Sequence, residues 1–394
     1  MKINLKLTLL SISLLSFLRC ASGFGIGMAL PLYYFGKLEA GTIGFVTAAT
    51  ALSYLFSPFL FRNVYKKIGM KMCLLIASIG FVVDQIGLQF FIDYPIMTYF
   101  FLFIDGIMLG IFWPVISGIF TVIMSQENDE LKKTKLNRNF GLSWNVGGLF
   151  GYLLSAFALF IIADILLVFD LSLIYTIIGL IIAVSIKEPT TDFGVERTFE
   201  QEGSNPNTGA KWKFPIYIPF LMALLFALIM GANGTLYPFK SKQLAFSDFS
   251  AYLVSFVRLI VQTSSISFAL GLSIKKLKKI VPYIMIIGIG GLFVLGFTED
   301  LVVCMITSGI LGLFIGFIHS FGFRLTINKN LERNNMKATT YFETILGIFF
   351  WLGPILGGIL TDFSIILGYS TLAIVLFIVL VFFVFVQKKI EINY

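Results

Sequence analysis

A few charged and strongly polar side chains lie inside long apolar stretches, where water is scarce and each needs a physical reason. Arg19 sits in the middle of the run 7–31, Asp105 well inside 96–124, and Asn233 in 214–237. Arg258 and Gln262 lie in 249–272, His319 in 301–323, and Glu343 near the start of 339–362. A charge at the centre of a bilayer costs about 2.5–3.5 kcal/mol on insertion scales, so such residues mark ion pairs or sites that handle solutes and protons. An arginine there presents five donors in a planar fork that suits a carboxylate or a phosphate. Arg19 therefore reads as an anchor for an anionic group, with Asp105 as its alternating partner, or as half of a permanent ion pair that assembles the first half of the chain.

Arg258, with Gln262 one turn on, joins Asn233 and His319 to give the second half a polar set with one fixed positive charge. His319 is of the type that exchanges protons near neutral pH; it reads equally as a neutral packing residue or one in water near a helix end. Glu343 could carry a proton if held away from water, or pair with Arg324 or Lys337 at the membrane surface. Trp113 directly precedes Pro114, where a kink would open the helix towards a cavity. Its ring is placed either to stack on an aromatic solute or simply to pack. Asp84, inside 72–92, is expected to be a structural residue partnered by a tyrosine or a backbone group, and Asp164, Asp170, Glu299, Asp300 and Asp362 are expected at one surface.

Other chemistries are not supported. There is one histidine, and the three cysteines, Cys20, Cys73 and Cys304, form no metal spacing and no disulfide framework. Gly23, Gly25 and Gly27 lie inside an apolar run with no strand before them, so they read as close helix packing rather than a nucleotide fingerprint. No phosphate loop and no Ser-His-Asp pattern is present. No cofactor is expected.

The elements that hold these residues follow from composition. Of the 394 residues 58% are hydrophobic and 13% charged, with a mean hydropathy of +0.93. Soluble chains are typically about 45–50% apolar and about 25% charged, so lipid must be the solvent for most of this chain. The apolar runs are continuous and long enough for helices, not the short alternating strands of a barrel. Twelve spans are expected: 7–31, 42–61, 72–92, 96–124, 139–161, 164–186, 214–237, 249–272, 281–298, 301–323, 339–362 and 367–386. The first is read as a membrane span rather than a cleaved leader.

With both termini on one side, Lys37, Lys240 and Lys242 fall on the far side and Arg19 and Arg258 inside spans. The other 24 of the 29 Lys and Arg then fall on the terminal side. The positive-inside rule makes that side the cytoplasm. The net charge of +8 then holds topology against anionic lipid and implies no nucleic-acid partner. The polar stretch 187–213 reads as a cytoplasmic linker between a bundle over 1–186 and a bundle over 214–394.

The two halves echo one another at a constant offset of 206 residues. Gly106 and Gly110 recur as Gly312 and Gly316, and Gly147 and Gly151 as Gly353 and Gly357, each pair set in an apolar span on either side of a polar loop. Internal duplication of a membrane half is a mark of secondary transporters.

The layout resembles the major facilitator superfamily. That family carries Gly-x-x-x-Asp-Arg-x-Gly-Arg-Lys between its second and third helices, and here RNVYKKIGMK keeps Gly69, Lys71 and the basic Lys67, with Lys66 at the aspartate position. The counterpart GLSIKKLKK keeps Gly271 and places Lys275 at that position. Gly353, Pro354, Gly357 and Gly358 in the eleventh span are similar to a stretch the family often has in its fifth helix.

The resemblance implies an all-α integral membrane protein, with two six-helix bundles related by a pseudo-two-fold axis. It implies a conformational latch at Lys66, Lys67, Gly69, Lys71, Gly271 and Lys275, and a cavity lined by the first, fourth, seventh and tenth helices. Substrate contacts would then come from Arg19, Asp105, Trp113, Asn233, Arg258 and Gln262, and proton coupling from Asp105, His319 or Glu343. The expected function is movement of a small solute by alternating access, coupled to an ion, with protons the first choice. The solute is either an amphipathic drug-like compound or an organic anion or metabolite. The chain is expected to act as a monomer in the cell membrane and not as an enzyme. A non-transporting sensor or a membrane-embedded enzyme on the same layout is the alternative.

Overall fold

The structure, a computed structural model, describes residues 3–61, 64–125, 129–186, 212–333, 337–389 and 391–392. Among these, twelve helices are long and apolar enough to cross a membrane. They run Lys6–Tyr34, Ala40–Phe61, Met70–Phe91, Pro95–Met124, Asn139–Ile162, Leu166–Ser185, Tyr217–Gln243, Asp248–Gly271, Ile274–Phe297, Leu301–Ile327, Tyr341–Phe363 and Ile365–Val386. They are called here the first to twelfth spans. In hydrocarbon every backbone N–H and C=O must be bonded within the chain, which makes an uninterrupted apolar run helical.

Two boundaries differ from the sequence reading by more than four residues. The ninth span begins at Ile274 rather than 281, because Ile274, Leu277 and Val281 recur at helical spacing and are buried. Lysines fill the positions between them, so a hydropathy reading stops where the helix does not. Ser273 caps this end, its hydroxyl accepting from the Lys276 N–H at 3.3 Å. The seventh span continues through Pro238 to Gln243. The fifth and sixth spans part at Ala163–Ile165, where Asp164 Oδ1 accepts from the Leu166 N–H at 2.9 Å.

The chain forms two compact units, Met1–Thr190 with Tyr237–Phe256, and Thr191–Leu236 with Val257–Tyr394. In the first unit an apolar core joins the first, third, fourth and sixth spans, through residues such as Leu15, Leu74, Phe81, Phe112, Ile116 and Ala183. One end of this unit is tied by hydroxyls. Tyr34 donates to the Ile92 carbonyl at 2.6 Å and its hydroxyl oxygen is hydrogen-bonded to the Thr98 hydroxyl at 2.7 Å. Gly36, at φ +75°, turns the chain so that Lys37 lies over the Tyr33 ring and 3.5 Å from Asp93. Residues 237–256 pack on the same unit. Tyr252 donates its hydroxyl to the Gly25 carbonyl at 2.7 Å, and Phe239 and Phe249 meet Phe35 and Phe160.

In the second unit the ninth span packs on the tenth and twelfth, and the eleventh on both of those. A two-residue antiparallel pair, Trp212–Lys213 with Glu391–Ile392, closes its base.

The duplicated glycines do the same work in both units. A Cβ at Gly106 or Gly110 in the fourth span would overlap Thr50, Ser53 or Ser57 of the second. A Cβ at Gly312 or Gly316 in the tenth would overlap the backbone at Arg258 and Gln262 of the eighth. Gly147 and Gly151 in the fifth span lie against the Phe17 and Ala21 backbone of the first, as Gly353 and Gly357 of the eleventh lie against Gly231 and Ala232 of the seventh. With no hydrophobic force between helices in lipid, close backbone contact of this kind is what binds them.

Candidate functional site

Arg19 and Asp105 meet inside the first unit. Arg19 Nη2 donates to Asp105 Oδ2 at 2.6 Å, and the two residues are only 9% and 4% exposed. Two neighbours flank the Arg19 guanidinium. Gly23 lies one turn on, and Arg19 Nη1 stands 3.8 Å from where its Cβ would be, an ordinary contact distance. Phe81 of the third span offers its ring face 4.4 Å below the guanidinium carbon, and Phe112 of the fourth packs edge-on against that ring. A buried cation over an aromatic face gains from the ring quadrupole. The pair uses one terminal nitrogen of the fork; Arg19 Nε and Asp105 Oδ1 have no hydrogen-bond partner among the described residues. Removing either member of such a buried pair leaves an uncompensated charge, at a cost of about 3–5 kcal/mol.

A further carboxylate belongs to this cluster. Asp84 is fully buried one turn after Phe81, within electrostatic range of both Asp105 and Arg19. Its Oδ2 lies 2.6 Å from the Gln85 amide, so its partner is that side chain rather than a tyrosine or a backbone group. Asp84 Oδ1 and Gln85 Oε1 are buried with no hydrogen-bond partner among the described residues. The signal was an Asp-Gln pair in the centre of an otherwise apolar run, which is expensive wherever its helix sits.

Trp113 stands two turns beyond Asp105, edge-on to Phe112, and packs against the apolar core of the first unit.

In the second unit, Arg258 and Gln262 are buried one turn apart on the eighth span, where Gly312 and Gly316 cross it. Asn233 is buried and accepts from the Tyr369 hydroxyl of the twelfth span at 3.1 Å. His319 is ringed by Phe226, 4.6 Å away by ring centres, by Phe323 stacked at 5.9 Å, and by Phe342. Glu343 is exposed. Arg324 donates to the Leu270 and Leu272 carbonyls at the end of the eighth span, satisfying groups the helix leaves open.

Of the latch residues, Gly69 caps the start of the third span at φ +85°, a conformation that favours glycine. Lys67 and Lys275 are exposed, Lys71 is half-buried, and Gly271 ends the eighth span. The Lys66 side chain and most of the linker, 187–211, lie outside the described residues. Among the described residues no group of three or more His, Cys, Asp or Glu could hold a metal ion.

A family model described as Major Facilitator Superfamily matches residues 12–328. No curated protein matches the chain. Solved structures share the fold. The nucleoside transporter NupG aligns at a TM-score of 0.76 and 13% identity, over 98% of this chain and 100% of that one. A structure of a proton-dependent oligopeptide transporter aligns at 0.73 and 15%, over 98% and 99%. A bacterial homologue of the human lysosomal transporter Spinster aligns at 0.72 and 12%, over 99% and 98%.

Proposed function

The chain belongs to the major facilitator superfamily, a multi-pass membrane transporter and not an enzyme, and on that premise we propose that it moves a small organic anion or polar metabolite by alternating access, coupled to protons. The observation that carries this reading is the buried Arg19–Asp105 pair, held through one nitrogen of a five-donor fork. An anionic group can take up the remaining donors, or displace Asp105, without a new charge having to be brought into the membrane. The second unit also buries an arginine, Arg258, beside Gln262. Of the coupling candidates expected from the sequence, Asp105 is the one beside the anchor, where it serves as the counter-charge of Arg19.

The rest of the expectation joins this reading. The two halves are 1–186 and 214–394 with a cytoplasmic linker over 187–213, both termini are cytoplasmic, the membrane is the cell membrane, and the working form is a monomer. The basic excess on the terminal side supports the orientation. A second version, export of amphipathic compounds, draws on the aromatic ring set around His319.

A thermal-shift screen of the purified protein separates them, with organic acids, phosphorylated metabolites, nucleosides, short peptides and lipophilic cations as the panel. A bound solute stabilises the folded state by mass action. Stabilisation by anions that is lost in Arg19→Gln and in Arg258→Gln supports the anion reading. Stabilisation by lipophilic cations that survives both substitutions overturns it.

A further inference from the structure

The geometry points to Asp84 as the residue that holds the coupling proton, with Arg19 and Asp105 as the charged pair beside it. This rests on the proton-coupled reading above and names the atom group that carries it out.

Charge counting comes first. Two carboxylates, Asp84 and Asp105, share one guanidinium, and all three are at least nine-tenths buried. Asp105 takes the guanidinium at 2.6 Å. Among the described residues, Asp84 is left with an amide as its bonded partner and with Asp105 as a like charge in range. A second ionised carboxylate at that depth would be both strongly desolvated and repelled, whereas a neutral carboxylic acid carries no charge to repel and loses far less on leaving water.

Geometry agrees. The Asp84 Oδ2–Gln85 amide distance of 2.6 Å is short for an N–H donor to oxygen and ordinary for an O–H donor. The amide's two ends are interchangeable by a flip set by its partner. With the proton on Asp84, the acid O–H donates to the Gln85 carbonyl oxygen. When the proton leaves for water, the amide turns and its N–H donates to the carboxylate instead. The proton moves between a water molecule and an Asp84 oxygen, and no other bond changes. Gln85 thus serves either state, and Arg19 can swing its charge towards whichever carboxylate is ionised.

The neighbours of Asp84 leave it little other company. Among the described residues, Arg19 of the first span, which lies over Phe81, and Asp105 of the fourth are its charged neighbours. From the sixth come Asp170, bonded to Gln89 further along, and Tyr175, which packs on Phe150. Lys67 before the span is exposed, and Lys71 and Cys73 lie at its opposite end.

Infrared difference spectroscopy of the full-length protein in bilayers tests this, because a buried protonated carboxyl has its own carbonyl stretch, which moves on exchange into heavy water. Wild type at neutral pH is expected to show the band and Asp84→Asn to lose it, while Asp105→Asn, which frees Arg19 to pair with an ionised Asp84, is expected to weaken it. Asp84→Glu is expected to keep the band at a shifted frequency, which also decides the matter should Asp84→Asn not fold. A band that is absent in wild type, that persists in Asp84→Asn, or that does not shift in Asp84→Glu overturns the assignment.

Uptake of the screen's strongest binder into liposomes under a pH gradient separates the two levels. If wild type shows the band but moves no solute with protons, the transport reading falls and the proton site stands. If Asp84→Asn moves solute with protons as fast as wild type, the site falls and the transport reading stands.

Discussion

Replacing Arg19 by glutamine is expected to destabilise the protein more than replacing Arg19 and Asp105 together. The pair is 2.6 Å apart, with side chains 8% and 6% exposed, so solvent screening takes little from it. Arg19→Gln leaves the Asp105 carboxylate without its counter-charge, whereas Asp105→Asn leaves the guanidinium over Phe81 with Asp84 to turn to. Arg19→Gln should cost about 3–5 kcal/mol, the measured range for breaking buried pairs, and Asp105→Asn less. The double change removes both charges and leaves two amides, which can bond one another at a cost near that of a lost neutral hydrogen bond, about 0.5–1.5 kcal/mol. The double variant should therefore recover about 2 kcal/mol or more over Arg19→Gln, well outside the few tenths by which independent sites depart from additivity. Thermal unfolding of the four proteins in one detergent at neutral pH reads the order. Additive losses, with the double variant the least stable, would refute the claim that the pair is held together by charge rather than by shape.

Four further outcomes follow from other parts of the fold. Gly151→Val and its duplicate Gly357→Val should each destabilise by about 1–3 kcal/mol or more by forcing the fifth span off the first and the eleventh off the seventh. Gly234→Ala, with open space around it, should be neutral or stabilising in the same melts. Tyr252→Phe should cost about 0.5–1.5 kcal/mol, because the fully buried hydroxyl gives its hydrogen bond to the Gly25 carbonyl; an unchanged melting temperature would count against that bond. The Tyr33 hydroxyl and, more weakly, Lys37 hold the Asp93 carboxyl below its usual range. Its contribution is therefore complete above the unfolded value, about 3.9, and is lost as pH falls through the lower folded value. Melts of wild type and Asp93→Asn should converge as pH drops through that window, and curves that stay parallel would contradict the assignment.

The spans were legible because lipid enforces one solution on a long apolar run, and the duplicated glycines because close helix crossings tolerate nothing larger. The helix ends were less so. The lysine-rich start of the ninth span hides a helix whose buried face is only every third or fourth residue, Ile274, Leu277 and Val281. Of the candidate site, Arg19 and Asp105 were visible as charges that lipid would not accept, but no one-dimensional pattern fixes that two helices turn them towards each other. Asp84 shows why. The chain's resemblance places its helix outside the cavity, yet a side chain's neighbours depend on which face of the helix carries it, and the Phe81–Asp84–Gln85 face turns inward to Arg19. The fit of His319 among phenylalanines was hidden for the same reason, since Phe226 and Phe342 come from other spans.

The paired glycine crossings also bear on how the protein can move. Where backbone touches backbone, no side chain lies between that could change rotamer and let one helix slide past the other. The first and fifth spans, and likewise the seventh and eleventh at Gly231, Ala232, Gly353 and Gly357, are joined as welded beams rather than as greased bearings. The alternating access proposed above would have to hinge elsewhere, at the loops and proline-bearing helix ends, and a substitution that loosened a weld would blunt it without touching Arg19 or Arg258.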